Sequence, residues 1–555
     1  MEIGLKGSIP TFAGGLGVLA ADLMRSAADL SLPAACVTVC WKHGYLHQHI
    51  RPDGSQDYED MEWNREKELE RLPERVTVKI EGRDVVVGVW VLKLQSHVEG
   101  SALSGRGQKA RSSAGVPVYF LDTDVPENSP QDRAICDRLY GGDQAMRITQ
   151  EVVLGFGGVK MLRALGHKDI TYFHMNEGHC SFLTLELLRE RGFKDDEVRK
   201  SCAFTTHTPI KAGHDEFGYD LAYRIVGDGL PWHIKKLAGE NALSMTELAM
   251  SLSHYTCGVS KVHGQVSSKM FNRPIDSITN GVNHIEWASP EMQELFDELI
   301  PNWRKDPLQL LKMSRDIPDD KLWKAHQKAK KKLLTLVNAS QGEHPFSEDV
   351  LTIASARRVV PYKRPELLYT NLDRLRQVGD GKIQIIHAGN AHPHDQFSMD
   401  VIRHMIEQSW ELRGCIKIAY LPNYNPDLAK LLVSGADVWL NTPTRLHEAS
   451  GTSGMKACLN GVLNLSTLDG WWIEGYAMDP EAGWRIGPLA SSLSPDDTRQ
   501  IDAEDLYTQL QYQVIPEYNY EGRARWLRRM KRAIGLMGYF NANRCVLEYW
   551  EKAWK

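Results

Sequence analysis

Apolar positions fall into two alternating series along the chain. The first opens with a glycine-rich turn, Gly14-Gly15-Leu16-Gly17, that leads into an amphipathic helix at 23–30. A buried strand follows at 37–41. Residues 76–94 alternate with period two around Glu81-Gly82-Arg83-Asp84, which predicts paired strands joined by a turn. Residues 96–115 are rich in Ser, Gly and basic side chains and read as a surface loop. Then come a strand at 118–121, a long helix at 143–165, a strand at 170–174 ending in Asn176-Glu177-Gly178-His179, and a strand at 203–207. The second series begins after Asn280-Gly281-Val282, with strands at 351–354, 383–387, 416–420, 438–440 and 462–465. Strands alternating with helices predict an α/β fold with mainly parallel sheets. The expected organisation is an N-terminal α/β domain at 1–285 and a C-terminal one at 286–525, facing across a cleft. A basic, amphipathic last helix is read at 521–555, with 526–555 packing back on the first domain.

Length agrees with more than one domain, since 555 residues exceed the usual 100–200 or so per domain. Lys plus Arg number 66 and Asp plus Glu 71, a net charge of −5, so no bulk positive charge supports nucleic-acid binding. No run approaches the roughly 18 apolar residues of a membrane span, and the first residues lack a secretory pattern. Nine dispersed cysteines without a C-x-x-C read as reduced thiols of a cytoplasmic protein. No metal site is expected from the pattern of cysteines, histidines and carboxylates.

Two segments carry most of the chemistry. Glu448-Ala449-Ser450-Gly451-Thr452-Ser453-Gly454-Met455-Lys456-Ala457-Cys458-Leu459-Asn460-Gly461 follows a strand and opens a helix. Free N–H groups at such a start, approached closely past glycine, suit an anion. The spacing is not that of a P-loop. Arg357-Arg358-Val359-Val360-Pro361-Tyr362-Lys363-Arg364 puts four cations just after a buried strand. Like charges so close repel unless anions neutralise them, and guanidinium forks suit phosphate. In α/β sheets, ligands sit off the carboxyl ends of strands, and His174, His179 and His207 lie near such ends. Each of these histidines alone reads more simply as a structural residue. Together these features indicate phosphate chemistry in a cleft and leave the substrate open.

The residues also resemble a family. The segment 448–461 is similar to the pyridoxal-phosphate lysine motif of the α-glucan (glycogen, starch, maltodextrin) phosphorylases. The likeness extends to Ala13-Gly14-Gly15-Leu16-Gly17, His174-Met175-Asn176-Glu177-Gly178-His179, Phe204-Thr205-Thr206-His207-Thr208, Ile278-Thr279-Asn280-Gly281, Arg357-Arg358, Tyr362-Lys363-Arg364, Pro422-Asn423-Tyr424 and Leu468-Asp469-Gly470-Trp471-Trp472. It most resembles the short bacterial and archaeal type. The resemblance implies two Rossmann-like domains in a glycosyltransferase-B fold. It implies reversible, retaining phosphorolysis of α-1,4-glucan or maltodextrin by inorganic phosphate, giving glucose 1-phosphate. By the family pattern, Lys456 carries pyridoxal 5′-phosphate as an internal aldimine. Thr452, Gly451, Arg357, Tyr424 and Trp287 then contact the cofactor. Arg358, Lys363 and the backbone at Gly14 and Gly15 hold the substrate phosphate. Leu16, His207, Asn280, Glu448, Ser450 and Gly451 surround the glucosyl unit. Lys456, Arg358, Lys363, His207 and Glu448 form the catalytic set. A homodimer is expected by analogy, with no nucleic-acid or membrane partner.

A retaining glycosidase needs two carboxylates about 5 Å apart, and no such pair stands out. Phosphate instead offers a second pKa of about 6, suited to proton exchange near neutrality. Two alternatives remain. A nucleotide-sugar-dependent glucan synthase resembles this fold but carries glutamate where Lys456 stands. A catalytically silent glucan-binding homologue is suggested by departures from the family pattern at Asn283-His284-Ile285-Glu286, Asn390 and Thr444-Arg445-Leu446-His447.

Overall fold

The computed structural model describes residues 1–98, 115–341, 345–489 and 495–555. Most of the loop read at 96–115 therefore lies outside the described residues. The chain divides into two compact units. The first comprises Met1–Tyr45, Asp60–Thr279 and Cys545–Lys555; the second comprises Leu46–Glu59 and Asn280–Arg544. The segment Leu46–Glu59 thus belongs with the second half of the chain, which no local pattern announces.

The second unit is built on six parallel strands: β1 Leu351–Ala356, β2 Ile383–Ala388, β3 Lys417–Leu421, β4 Val438–Asn441, β5 Leu463–Thr467 and β6 Gly483–Ile486. Their order is β3-β2-β1-β4-β5-β6. The five strands expected from the sequence are present. The sixth, β6, escapes the pattern because Gly483-Trp484-Arg485-Ile486 is too short to show a period. Every residue of β1, β2 and β5 is buried, as expected for parallel strands covered on both faces. The order reverses between β1 and β4. At such a switch point the connections leave toward opposite faces and open a crevice at the carboxyl ends. Asp437, entering β4, is fully buried between Lys330 (2.6 Å) and His326 (2.8 Å), which ties the helix Asp319–Gln341 to the sheet's opposite end.

The first unit contains two four-stranded sheets. In one, Cys36–Val39 runs parallel to Val116–Asp122, and Arg83–Leu94 and Glu70–Ile80 add antiparallel strands. The pairing expected at 76–94 is present and begins at Glu70. The other sheet is wholly parallel: Phe173–Asn176, Cys202–Thr205, Tyr255–Gly258 and Asp276–Ser277. The long helix read at 143–165 is interrupted. Gln144–Val152 and Gly158–Ala164 flank a π turn at Val153–Gly157. Within the turn, Gly155 packs so closely that a side chain there would meet Phe182 Cβ at 2.5 Å.

The final helix read at 521–555 is two helices, Ala524–Leu536 and Ala542–Lys552. The first belongs to the second unit and buries Trp526, Met530 and Ile534. Between the helices, Asn541 bridges in parallel to Val282, and Ala542 N–H donates to Val282 O at 2.8 Å. A side chain on Gly281 would collide with Asn541 at 2.2 Å, so glycine is required where these strands cross. Cys545–Lys555 belongs to the first unit, where Trp554 Nε1 donates to His174 Nδ1 at 3.1 Å.

Candidate active site

The carboxyl ends of β1 and β4 place the cation-rich segment at the switch point. Arg357 follows β1 directly and is 8% exposed. Its Nη2 donates to Leu440 O at 2.7 Å and to Asn441 Oδ1, both in β4. Its Nε is buried and meets no hydrogen-bond partner among the described residues. Burial lowers the guanidinium pKa from its usual value. Gly389, at φ +154°, lies so close that a Cβ would meet Arg357 O at 1.9 Å.

The rest of the cluster divides its charge. Arg358 is exposed. Lys363 Nζ meets Glu448 Oε2 at 2.7 Å. Burial disfavours that ammonium, yet the Glu448 carboxylate outweighs it and the Lys363 pKa is raised. Arg364 turns away, donating to Thr442 O at 2.9 Å and to the fully buried Asp502 at 2.7 Å. The cluster is therefore not uniformly phosphate-facing: Arg364 is neutralised inside the protein.

Helix Ser453–Leu459 follows the Ser450–Thr452 loop, and Lys456 is its fourth residue, 7% exposed. Lys456 Nζ lies 3.8 Å from the ring centroid of Trp287, an amino–aromatic contact. Trp287 closes the short helix His284–Trp287. Asn460 joins the two elements: Nδ2 donates to Trp287 O (2.8 Å) and Lys456 O (2.9 Å), and Oδ1 accepts Ser289 N–H (2.7 Å). Gly454 lets the helix start approach β5, where a side chain would meet Asn464 Oδ1 at 2.5 Å. Gly451 adopts φ +79°, and the buried Ser450 Oγ has no partner among the described residues. Tyr424 is half-buried after β3, and burial pushes its hydroxyl pKa up to about 12.

Asp469 has a larger role than its sequence context suggests. Its carboxylate accepts four backbone N–H groups: Leu446 (3.0 Å), His447 (3.2 Å), Glu448 (2.8 Å) and Gly470 (2.9 Å). Burial pushes it up to about 7 against those donors. The clamp fixes Glu448 and holds Leu446 at φ +68°, an unusual conformation for a branched side chain. Its one signal in the sequence is its place in Leu468-Asp469-Gly470-Trp471-Trp472.

The departures from the family pattern have structural roles. Asn283 caps the helix bearing Trp287, accepting N–H from Ile285 (3.1 Å) and Glu286 (2.9 Å). His284 Nε2 donates to Arg304 O at 2.9 Å, and Glu286 pairs with Lys430 at 2.7 Å. Arg445 pairs with Asp502 at 2.9 Å. Asn280 is buried, and its carbonyl accepts from Arg544 at 3.2 Å.

In the first unit, Gly14 caps the helix Gly15–Asp29 and Gly15 is exposed. A side chain on either glycine would meet nothing within 4 Å, so packing does not require glycine there, and the space over the backbone is open. The amides are not all available: Glu2 Oε2 accepts Ala13 N–H (2.5 Å) and Gly14 N–H (3.1 Å). Leu16 is half-buried. His207 donates its backbone N–H to Glu177 Oε2 at 2.8 Å, and its Nε2 bonds Asn176 Oδ1. Burial lowers the imidazole to about 3, so it is neutral near pH 7. His174 is bonded to Thr205 (2.8 Å) and Trp554, and His179 is buried, both consistent with structural roles.

The family profile for carbohydrate phosphorylases matches residues 231–477. Maltodextrin phosphorylase of Thermococcus litoralis is 38% identical over 100% of this chain and 69% of its own length. Glycogen phosphorylase of Aquifex aeolicus is 35% identical over 99% of this chain and 84% of its own. An uncharacterized protein of Methanocaldococcus jannaschii is 30% identical over 100% of this chain and 98% of its own length. With the lysine helix, the arginine at the switch point and full-length similarity in agreement, the chain belongs to the carbohydrate phosphorylase family.

Proposed function

We propose that the chain is an α-1,4-glucan phosphorylase with pyridoxal 5′-phosphate on Lys456, converting glucan and inorganic phosphate to glucose 1-phosphate. One observation carries this reading. A buried lysine lies against the Trp287 ring in the same unit where the Arg357 guanidinium keeps a buried Nε with no hydrogen-bond partner among the described residues. An amine beside an aromatic face and a cation awaiting an anion fit a planar aldehyde cofactor bearing a phosphate. Lys456 would hold the aldehyde carbon, Trp287 and Tyr424 the ring region, and Arg357, Thr452 and Gly451 the phosphate region. When bound, the cofactor supplies a phosphate able to exchange a proton with the substrate phosphate.

The chain's own residues do the remainder. Arg358 and Lys363 supply the positive charge that lets a substrate phosphate approach a second anion. Glu448, balancing Lys363 and fixed by Asp469, is placed to accept hydrogen bonds from sugar hydroxyls, with Ser450 Oγ beside it in sequence. In the first unit, phosphate would approach the open space over Gly14 and Gly15 through the Gly15 N–H, since Glu2 holds the Gly14 N–H. The neutral His207 ring, with Nε2 bonded to Asn176, offers Nδ1 as an acceptor for a sugar hydroxyl. Leu16 and Asn280 complete the proposed sugar contacts. The protein is expected to work in the cytoplasm; no helix among the described residues is long and apolar enough to span a membrane.

The test is release of glucose 1-phosphate from maltodextrins and inorganic phosphate by cofactor-loaded protein. Product formation supports the reading. A folded, loaded protein that binds glucan and gives no product overturns it.

A further inference from the structure

We propose that His47, His49 and Glu59 form a transition-metal site on the hairpin of the second unit. The strands His43–Ile50 and Gln56–Glu62 pair with each other as a two-stranded sheet. Residues two apart in a strand share a face, so His47 and His49 stand side by side, ring centroids 4.8 Å apart. Glu59 comes from the paired strand, and its Oε1 is 2.9 Å from His49 Nε2. One ligand atom from each residue lies within 4.8 Å of the other two. Zinc takes imidazole nitrogen and carboxylate oxygen at about 2.0–2.2 Å, so tetrahedral ligands stand roughly 3.4 Å apart. Side-chain rotation of about an ångström closes the set, and His49 and Glu59 are exposed and have room to move.

The scaffold beneath them is fixed. Gln48, pointing to the other face, is 1% exposed and bonds Gln56 Oε1 at 3.1 Å, which also accepts Tyr58 OH at 2.8 Å. Gln56 Nε2 donates to Met399 O at 2.9 Å. Asn423 Oδ1 accepts Gln48 N–H, while its Nδ2 donates to His47 Nε2 at 3.1 Å, a hydrogen bond that a metal bound by His47 would replace. These bonds hold in place the backbone that carries the ligands. The turn closes by Arg51 N–H to Ser55 O and Gly54 N–H to Arg51 O, both 2.9 Å, with Gly54 at φ +78° against Arg403.

Two imidazoles and one carboxylate match zinc, nickel or copper, with at least one coordination position left for water or another ligand. The hairpin also touches the residue before Tyr424, so the metal would brace a strand end that the proposed cofactor site uses. The metal proposal itself does not depend on that reading.

The experiment is calorimetric titration of zinc and copper into chelator-stripped, tag-free full-length protein. It is run on the wild type, His49→Ala, Glu59→Gln and the double variant His47→Ala/His49→Ala. His392→Ala is included because His392 and His394 form another surface pair, ring centroids 5.3 Å apart. The expected result is one equivalent bound at about micromolar affinity. His49→Ala should weaken it at least about a hundredfold and Glu59→Gln at least about tenfold, since losing a ligand costs no less than the roughly 10–100-fold seen when an outer-shell partner is lost, with His392→Ala unchanged. Copper electron paramagnetic resonance should show nitrogen coupling that the double variant lacks. Equal affinity in wild type and double variant, loss only in His392→Ala, or no binding by folded wild type would each overturn the site and leave His49–Glu59 as a hydrogen-bonded pair. The melting temperature of each variant controls for folding.

Discussion

The switch point of the second unit and the strand-end region of the first solve different electrostatic problems. At the switch point, charge is carried by side chains and only partly compensated: Arg357 Nε has no hydrogen-bond partner among the described residues, while Lys363 and Glu448 neutralise one another. In the first unit, charge is used to set the backbone: Glu2 holds the glycine turn and Glu177 holds His207. The histidine presented there is neutral. The first arrangement suits anions, and the second suits sugar hydroxyls and close backbone approach. The contrast teaches that a carboxylate near a candidate site need not be catalytic; here Glu2, Glu177 and Asp469 all act by ordering backbone N–H groups.

The strongest challenge to this contrast is Lys456→Ala. It should remove both the cofactor's absorbance and activity to background; full activity would discard the switch-point assignment. Arg358→Ala comes next, with kcat/KM for phosphate expected to fall about a hundredfold, the usual loss for one charged transition-state contact, while glucan binding changes little. Equal losses for both substrates would erase the division of labour. His207→Ala tests the neutral side: a lost sugar hydrogen bond predicts about 1–3 kcal/mol in kcat/KM for glucan. Because the folded value is near 3, the wild-type glucan KM should show no inflection from this residue between about pH 5 and 8. An inflection lost in the variant would contradict it.

Asp469→Asn sharpens the clamp argument through pH. The folded carboxyl is raised from 3.8 to about 7, so the native state binds the extra proton. Its contribution is full below about pH 4 and fades as pH rises through 7. The variant's melting temperature should therefore vary less with pH between about 4 and 7 than that of the wild type; parallel curves would show that Asp469 does not titrate there. The smallest expected effect is Asn460→Ala. On activity the effect is small, while each of three backbone groups left without this partner should cost about 1–3 kcal/mol of stability, and cofactor fluorescence should change through displacement of Trp287. Unchanged fluorescence would mean that Trp287 holds its place without it.

Chemistry carried by contiguous residues is legible in the sequence. The strand–loop–helix around Lys456 and the cations after β1 are local patterns, and local rules of strand ends and helix starts are enough to mark them. Buried parallel strands are long apolar runs, so five of the six strands of the second unit stand out, while β6 is too short. The break between Leu536 and Ala542 is hidden because both flanking segments are amphipathic.

What the sequence determined by itself was therefore the α/β class, and it marked out the segments proposed to bind anions and the lysine proposed to hold the cofactor. Tertiary structure decided the partnerships: Trp287 beside Lys456, Arg357 across to Asn441, Arg364 turned to Asp502, and Glu59 brought to His47 and His49. The physical reason is that a period assigns a residue to a face, whereas the charge or ring that meets it there depends on which distant strand or helix burial brings alongside.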